Sequence, residues 1–190
     1  MSSFSVNAKP GTDIWRKPPH TDVWNAPSAT PAGAITTGPL TKFKSAQVSF
    51  SLPAKEQYDQ GGILLSLQRA SSPVTPPPKW IKSGVEYYNS VPKLGTVGCD
   101  SWADWSLSPV LGDGKWVTVA IEKGGDEHGI SLWVYQIVDG EKIPLREICW
   151  VFGGSPESWE ISVSAYAARP KGETEELVVE FKDFEVQWSS

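Results

Sequence analysis

The chain has 190 residues, of which 39% are hydrophobic and 21% are charged, a balance typical of a folded globule with a sizeable core. Its formal net charge of −5 argues against a surface that follows nucleic-acid phosphates. Since no apolar run approaches the roughly 20 residues that cross a bilayer, and since the first residues lack a secretory signal core, we expect a cytoplasmic protein with no nucleic-acid or membrane partner.

Short runs of alternating hydrophobicity follow one another along the chain, and helical periodicity is almost absent. The first 40 residues, rich in Pro, Gly and Thr, are predicted to be irregular and to wrap the remainder. Turn residues separate the runs that follow, which cover residues 42–52, 61–69, 79–89, 115–123, 130–138, 144–152, 159–168 and 176–188. This pattern predicts an all-β protein, a single domain over residues 1–190 built as a two-sheet antiparallel β-sandwich or jelly roll.

The run KWIKSGVEYYN at residues 79–89 has the most informative pattern of side chains. With a period of two, one face is that of an ordinary core strand. The other face carries Trp80, Lys82 and Glu86, and Gly84 leaves room between the last two. A cation, a carboxylate and an aromatic ring on one face predict a surface that binds a ligand.

Three other runs also place polar and aromatic side chains on one side, with Gln60, Trp133 and Tyr166 as their main candidates. A sheet that brings the four runs together would form a groove suited to a polyol, with CH groups on rings and hydroxyls on polar side chains. The alternative is a solvated sheet face on which Lys82 and Glu86 form an exposed pair that contributes about 0–1 kcal/mol. In both cases the two side chains are exposed, and truncating either should hardly change melting.

Two loop-like segments supply the remaining candidate ligand-binding residues. The segment TDIWRKPPHTDVW offers Trp15, Arg16 and His20, and the segment CDSWADWSLSP offers Trp102 and Trp105. An arginine beside a tryptophan suits the recognition of a carboxylate or a planar ligand. Both segments could equally well pack as loops, the second one by rimming a groove or by closing one end of the sandwich.

Other chemistries find little support in the sequence. Cys99 and Cys149 are predicted to be buried free thiols, as expected for a reducing compartment. Two histidines cannot build a multi-histidine metal site, and neither a phosphate-binding loop nor a Gly-x-Ser-x-Gly elbow occurs. We therefore expect no metal and no cofactor.

Five strings in this order, TDIWRKP, YDQGGILL, KWIKSGVEYYN, DWS and SVSAYAARP, resemble the DUF1349 family from about Thr12 to Trp188. The resemblance implies a concanavalin A-like lectin/glucanase fold, a jelly roll with a concave ligand face, and it implies no assigned activity. Family members usually end the last string with Arg-Pro-Ser, where this chain has Arg169, Pro170 and Lys171. A role tied to that serine does not transfer.

We predict lectin-like binding of a carbohydrate or a similar polar small ligand on the concave sheet. One alternative is an enzyme that uses the same groove, with Lys82 and Glu86 as an acid–base pair, either active on glycans or an isomerase or cyclase of a specialised metabolite. Glycoside cleavage normally needs two carboxylates, and the Glu-x-Asp-x-x-Glu string of glucanases with this fold is absent. Another alternative is a protein partner, since a yeast relative is named for regulation of enolase.

Overall fold

The computed structural model describes residues 3–173 and 175–190, which form β-strands and two short 3-10 helices, Leu40–Lys42 and Pro156–Ser158. No helix in these residues is long and apolar enough to cross a membrane. The strands are β1 (Phe4–Ala8), β2 (Ile14–Lys17), β3 (Thr21–Trp24), β4 (Ser28–Ala29), β5 (Thr37–Pro39), β6 (Phe43–Ser51), β7 (Gln60–Arg69), β8 (Lys79–Tyr88), β9 (Val91–Cys99), β10 (Ala103–Pro109), β11 (Val117–Asp126), β12 (Gly129–Val138), β13 (Glu141–Ile148), β14 (Trp159–Ala168) and β15 (Leu177–Trp188).

Apart from β2 and β3, which form a hairpin of their own, the strands form two antiparallel sheets, which confirms the predicted sandwich. A six-stranded sheet has the order β1-β15-β6-β11-β12-β13. A seven-stranded sheet has the order β10-β9-β8-β7-β14-β4, and β5 also pairs with β14. The prediction that β12 shares a face with β7, β8 and β14 is wrong, because β12 belongs to the six-stranded sheet.

The main core lies between the two sheets and is built from alternate residues of their strands. Phe50 and Phe181 of the six-stranded sheet and Leu65, Ile81 and Ile161 of the other are at most 1% exposed. Alternation therefore assigns inward and outward positions correctly for these strands, as the period of a β-strand requires.

A second, smaller apolar cluster lies on the outer face of the seven-stranded sheet, around Trp80. The hairpin of β2 and β3 covers it and inserts Ile14, which is 1% exposed. Arg16 fastens this hairpin, since its Nη1 donates to the carbonyl oxygen of Pro78 at 2.8 Å and its Nη2 to that of Pro77 at 3.2 Å. Part of the segment predicted to be irregular is thus a regular hairpin, and it brings residues 13 and 15 over the sheet.

The two cysteines are not bonded to each other, as predicted, but Cys149 is exposed and Cys99 alone is buried. Burial also raises the pKa of the Cys99 thiol, which lowers its thiolate fraction.

We expect Cys149 to react quickly with a disulfide reagent in the native protein and Cys99 to react on unfolding. A titration that finds two fast thiols, or none after denaturation, would contradict this arrangement.

Candidate functional site

A cavity of about 230 Å³ lies between the β2–β3 hairpin and the outer face of the seven-stranded sheet. We call it the hairpin pocket. Its lining residues come from the hairpin, from the segment before β7 and from strands β7 to β10, and they are Asp13, Trp15, Tyr58, Gln60, Lys82, Glu86, Val97 and Trp105.

Strand register explains why these side chains meet. Gln60 of β7 pairs with Glu86 of β8, and directly opposed residues of antiparallel strands point to the same face. Further along β8, Lys82 pairs with Val97 of β9, which in turn pairs with Trp105 of β10. The pocket floor is therefore fixed by backbone pairing across four adjacent strands.

A glycine pair brings β7 and β8 together beneath the pocket. Gly62 pairs with Gly84. A Cβ on Gly84 would lie 2.1 Å from the carbonyl oxygen of Gly61, and one on Gly62 would lie 2.2 Å from that of Ser83. Gly84 thus permits a close backbone approach, in addition to leaving room between Lys82 and Glu86.

The ammonium group of Lys82 is held in a hydrogen-bonded network. Its Nζ donates to Oε1 of Gln60 at 2.6 Å and to Oδ1 of Asp13 at 3.3 Å, and Nε2 of Gln60 reaches the same Asp13 oxygen at 3.4 Å. Lys82 is 3% exposed. Burial lowers the pKa of Lys82, against the raising effect of Asp13 and Glu86. The network holds the cation of Lys82 in place at the pocket floor.

Glu86 is the other ionisable group of the floor, and it is 8% exposed. Burial raises its pKa to about 7, although the charge of Lys82 acts in the opposite direction. The indole N–H of Trp105 acts as a nearby donor that lowers this pKa, although the two groups do not meet with hydrogen-bond geometry. Because this carboxyl group lines the cavity, it is available to a ligand.

An unpaired donor lies next to this carboxyl group. The indole N–H of Trp105 is buried and has no hydrogen-bond partner among the described residues, although it is near enough to lower the pKa of Glu86. Both groups converge over Gly95, where a Cβ would lie 3.0 Å from Oε2 of Glu86 and 3.5 Å from Nε1 of Trp105. The pocket therefore presents a carboxyl acceptor beside an indole donor that has no partner among the described residues.

Aromatic rings form one wall of the pocket. Trp15 meets Trp105 edge-on with ring centroids 6.2 Å apart, and Tyr88 meets Trp105 at 5.5 Å. Tyr58 continues the series, 6.0 Å from Tyr88. Beside the floor, the hydroxyl of Tyr166 on the neighbouring strand β14 donates to Oε1 of Gln60 at 3.4 Å, and burial raises the pKa of Tyr166 well above its usual range.

The structure brings together about half of the residues predicted for the site. The predicted residues that line the pocket are Trp15, Gln60, Lys82, Glu86 and Trp105, and Tyr166 contacts Gln60 from the neighbouring strand. The prediction that Lys82 and Glu86 are exposed is wrong, because the hairpin covers them.

The other predicted residues lie elsewhere. Trp80 is buried beneath Trp24 with ring centroids 6.2 Å apart, and Arg16 fastens the hairpin. The rest lie outside the pocket lining: His20 in the exposed turn of the hairpin, Trp102 partly exposed in the turn between β9 and β10, and Trp133 on the six-stranded sheet, stacked on Tyr135. Among the described residues, no group of three or more His, Cys, Asp or Glu is placed to hold a metal ion.

Sequence reasoning missed Asp13, Tyr58 and Val97. Asp13 lies just outside a regular strand, so period-two alternation does not place it. Alternation does put Tyr58 on the same side as Gln60, but Tyr58, which has a φ of 71° just before β7, is not among the predicted site residues. Both residues belong to strings that resemble the family, TDIW and YDQGG, and this was the available signal. The sequence does not distinguish Val97 from a core valine, and only its pairing with Lys82 shows that it lies on the pocket side of β9.

A buried ion pair supports the pocket from behind. Arg169 donates from Nε to Oδ1 of Asp59 at 2.8 Å and from Nη2 to Oδ2 at 2.7 Å. The backbone N–H of Arg169 also donates to Oγ1 of Thr12 at 3.0 Å. Thr12 precedes Asp13, and Asp59 lies between Tyr58 and Gln60, so the pair fixes both segments that enter the pocket.

The chain is a two-sheet antiparallel β-sandwich with a polar pocket on the outer face of one sheet, in agreement with the concanavalin A-like fold that the family resemblance implies. The chain belongs to the DUF1349 family, described as protein of unknown function, whose model matches residues 1–188.

Similar proteins agree with this assignment. An uncharacterised protein of Emericella nidulans is 39% identical over 182 residues, 95% of this chain and 84% of that protein. A functionally unknown protein from Saccharomyces cerevisiae has a similar structure, with a TM-score of 0.66, 17% identity and coverage of 99% of this chain and 89% of the other. An alginate lyase from Pseudomonas aeruginosa has a TM-score of 0.53, 9% identity and coverage of 90% and 76%. The two structural similarities support the fold.

Proposed function

We propose that the hairpin pocket binds a small hydroxylated ligand, such as a single sugar unit. The unpartnered indole N–H of Trp105 beside the carboxyl group of Glu86, both facing the cavity, carries this proposal. One hydroxyl group can accept from the Trp105 N–H and donate to the Glu86 carboxylate, whereas a carbonyl group can only accept and an ammonium group can only donate. A hydroxyl group therefore satisfies both buried groups at once.

The rest of the pocket supports the same ligand class. The rings of Trp15 and Tyr58 offer flat surfaces to the CH groups of a sugar, and Gln60 and Lys82 offer further polar contacts. A cavity of about 230 Å³ is smaller than the roughly 300–1,000 Å³ of sites for drug-sized ligands, which favours one ring over a long glycan. The name of the Pseudomonas aeruginosa neighbour, an alginate lyase, also indicates a carbohydrate-active protein of this fold.

A Trp105→Phe substitution tests the role of the indole donor while retaining an aromatic ring. Loss of one hydrogen bond costs about 0.5–1.5 kcal/mol, so affinity for a bound monosaccharide should fall about two- to tenfold. Saturation-transfer NMR and calorimetry against a panel of hexoses, pentoses and hexuronates would identify and measure that sugar.

Trp133→Ala is the matched control, because Trp133 lies on the other sheet, and this variant should bind as the wild type does. The proposal fails if no sugar of the panel binds, or if the Trp105 variant binds the same sugar with unchanged affinity.

A further inference from the structure

We propose that the pocket is also a catalytic site, in which Glu86 and Lys82 exchange protons with a bound cyclic hemiacetal and so open and close its ring. This inference rests on the proposed function, because it needs a sugar in the hairpin pocket. It adds an activity to binding, and it assigns a separate chemical role to each of the two groups on β8.

The two groups face the cavity from separate points of one strand. Four residues along a strand span about 13 Å between Cα atoms, and both side chains line the same cavity. Gly84 lies between them and contributes no side chain to the floor. A ring held between Lys82 and Glu86 therefore meets a proton donor on one side and a proton acceptor on the other.

Asp13 is the second carboxyl group that lines the pocket. Its Oδ1 accepts from the backbone N–H of Ile14 at 2.7 Å, and Lys82 and Gln60 occupy the same oxygen. Glycoside hydrolysis uses two carboxyl groups across the scissile bond. Three donors thus hold Asp13 through Oδ1, whereas Lys82 and Glu86 supply one acid and one base, which is enough for a reaction that needs no second carboxyl group.

Ring opening of a hemiacetal meets this requirement without a co-reactant. The Glu86 carboxylate takes the proton of the anomeric hydroxyl, the C–O bond to the ring oxygen breaks as the carbonyl bond forms, and the ring oxygen takes a proton from the Lys82 ammonium. Rotation of the open chain and reversal of these steps, with each proton returned, gives the other anomer. The net reaction is mutarotation, and both side chains end in their starting states.

The electrostatic surroundings suit both roles. Burial brings the pKa of Glu86 to about 7 and lowers that of Lys82, and general acid–base catalysis is most efficient with groups that titrate near the working pH. Several groups face Glu86 from its neighbours: Lys82 on its own strand, Gln60 on β7, Lys93 on β9, Trp105 on β10, Tyr166 on β14 and Asp13 beside the hairpin.

Polarimetry of freshly dissolved α-D-glucose, α-D-galactose and α-D-xylose tests the proposal directly. We expect the wild-type protein to accelerate mutarotation of at least one of these sugars, with a rate that rises as pH increases through about 7, where Glu86 ionises. Glu86→Gln should lose at least about a hundredfold in rate, the lower end of the usual contribution of a positioned acid or base. Lys82→Met should also be impaired, and Trp133→Ala should be unaffected.

Binding of the same sugars, measured by NMR in the same variants, separates the two proposals. A sugar that binds the wild type without faster mutarotation overturns the catalytic inference and leaves the proposed function standing. A Glu86→Gln variant as active as the wild type also overturns the catalytic inference. If Lys82→Met does not fold, the Glu86→Gln variant alone tests the inference. If the wild type neither binds nor converts any of the three sugars, the inference fails, and the wider panel then decides the proposed function.

Discussion

Arg169→Met is expected to lower the free energy of unfolding by about 3–5 kcal/mol, the usual cost of removing one partner of a buried ion pair. The side chain of Asp59 is 0% exposed, and that of Arg169 is 3% exposed. Arg169 neutralises the Asp59 carboxylate through two hydrogen bonds, at 2.8 Å and 2.7 Å. Methionine fills part of the space but leaves the carboxylate as an uncompensated buried charge.

Urea unfolding followed by tryptophan fluorescence would measure this loss. Lys55→Ala is the matched control, because Lys55 pairs with Glu175 close to Arg169 but on the surface, with side chains 65% and 69% exposed. An exposed pair adds little to stability, so the control should unfold close to the wild-type midpoint. An Arg169→Met variant that also unfolds there would show that the buried pair contributes nothing.

The Arg169–Asp59 pair also helps to position segments that line the hairpin pocket. Oδ2 of Asp59 accepts from the backbone N–H groups of Lys55 and Glu56, at 2.9 Å and 3.0 Å, which orders the segment that leads to Tyr58 and Gln60. Arg169 fixes Thr12 on the other side of the pocket. The strings TDIW, YDQGG and AARP, distant in sequence, thus meet at one place, and they contain four of the lining residues: Asp13, Trp15, Tyr58 and Gln60.

Alternation predicted the faces of the strands well, for a physical reason. In a β-strand, successive side chains point to opposite sides, so the sequence alone places Lys82 and Glu86 on one face and Ile81 on the other. The same rule separates Ile161 from Tyr166 on β14. These assignments needed no knowledge of how the strands pair, and the structure agrees with them.

Alternation does not tell which sheet a strand joins. Trp133 on β12 and Tyr166 on β14 have the same local pattern, but long-range pairing places them in different sheets. Alternation places Trp80 on the correct face of β8. Around Trp80, however, the hairpin covers that face, and Trp80 is buried beneath Trp24 of the hairpin.

The burial of Lys82 and Glu86 also comes from a distant part of the chain. Asp13 and Trp15, which line the pocket above them, precede Lys82 by nearly seventy residues, as the Lys82–Asp13 contact spans 69 positions. Nothing in the sequence of β8 indicates this cover. The fold was therefore predictable from local patterns, whereas the chemistry of the site depends on contacts between segments that are far apart in sequence.

Glu86 should make the protein less stable as the pH rises from about 4.5 to about 7. Its pKa is 4.5 in an unperturbed chain and about 7 in the folded protein, so in this range the folded state holds a proton that the unfolded state has released. Unfolding then releases a proton, and higher pH favours it. Since one pKa unit corresponds to about 1.4 kcal/mol, the loss contributed by Glu86 is about 3 kcal/mol.

Glu86→Gln removes this titration and retains a side chain of nearly the same shape. Other carboxyl groups also titrate in this range, so the quantity to follow is the free energy of unfolding of Glu86→Gln minus that of the wild type. We expect this difference to rise by about 3 kcal/mol between pH 4.5 and 7 and then to level off, because above pH 7 Glu86 is ionised in both the folded and the unfolded state. Urea unfolding at four or five pH values measures it. A difference that stays constant across the range would show that Glu86 titrates as an exposed carboxyl group, and its burial beneath the hairpin would then have no energetic consequence.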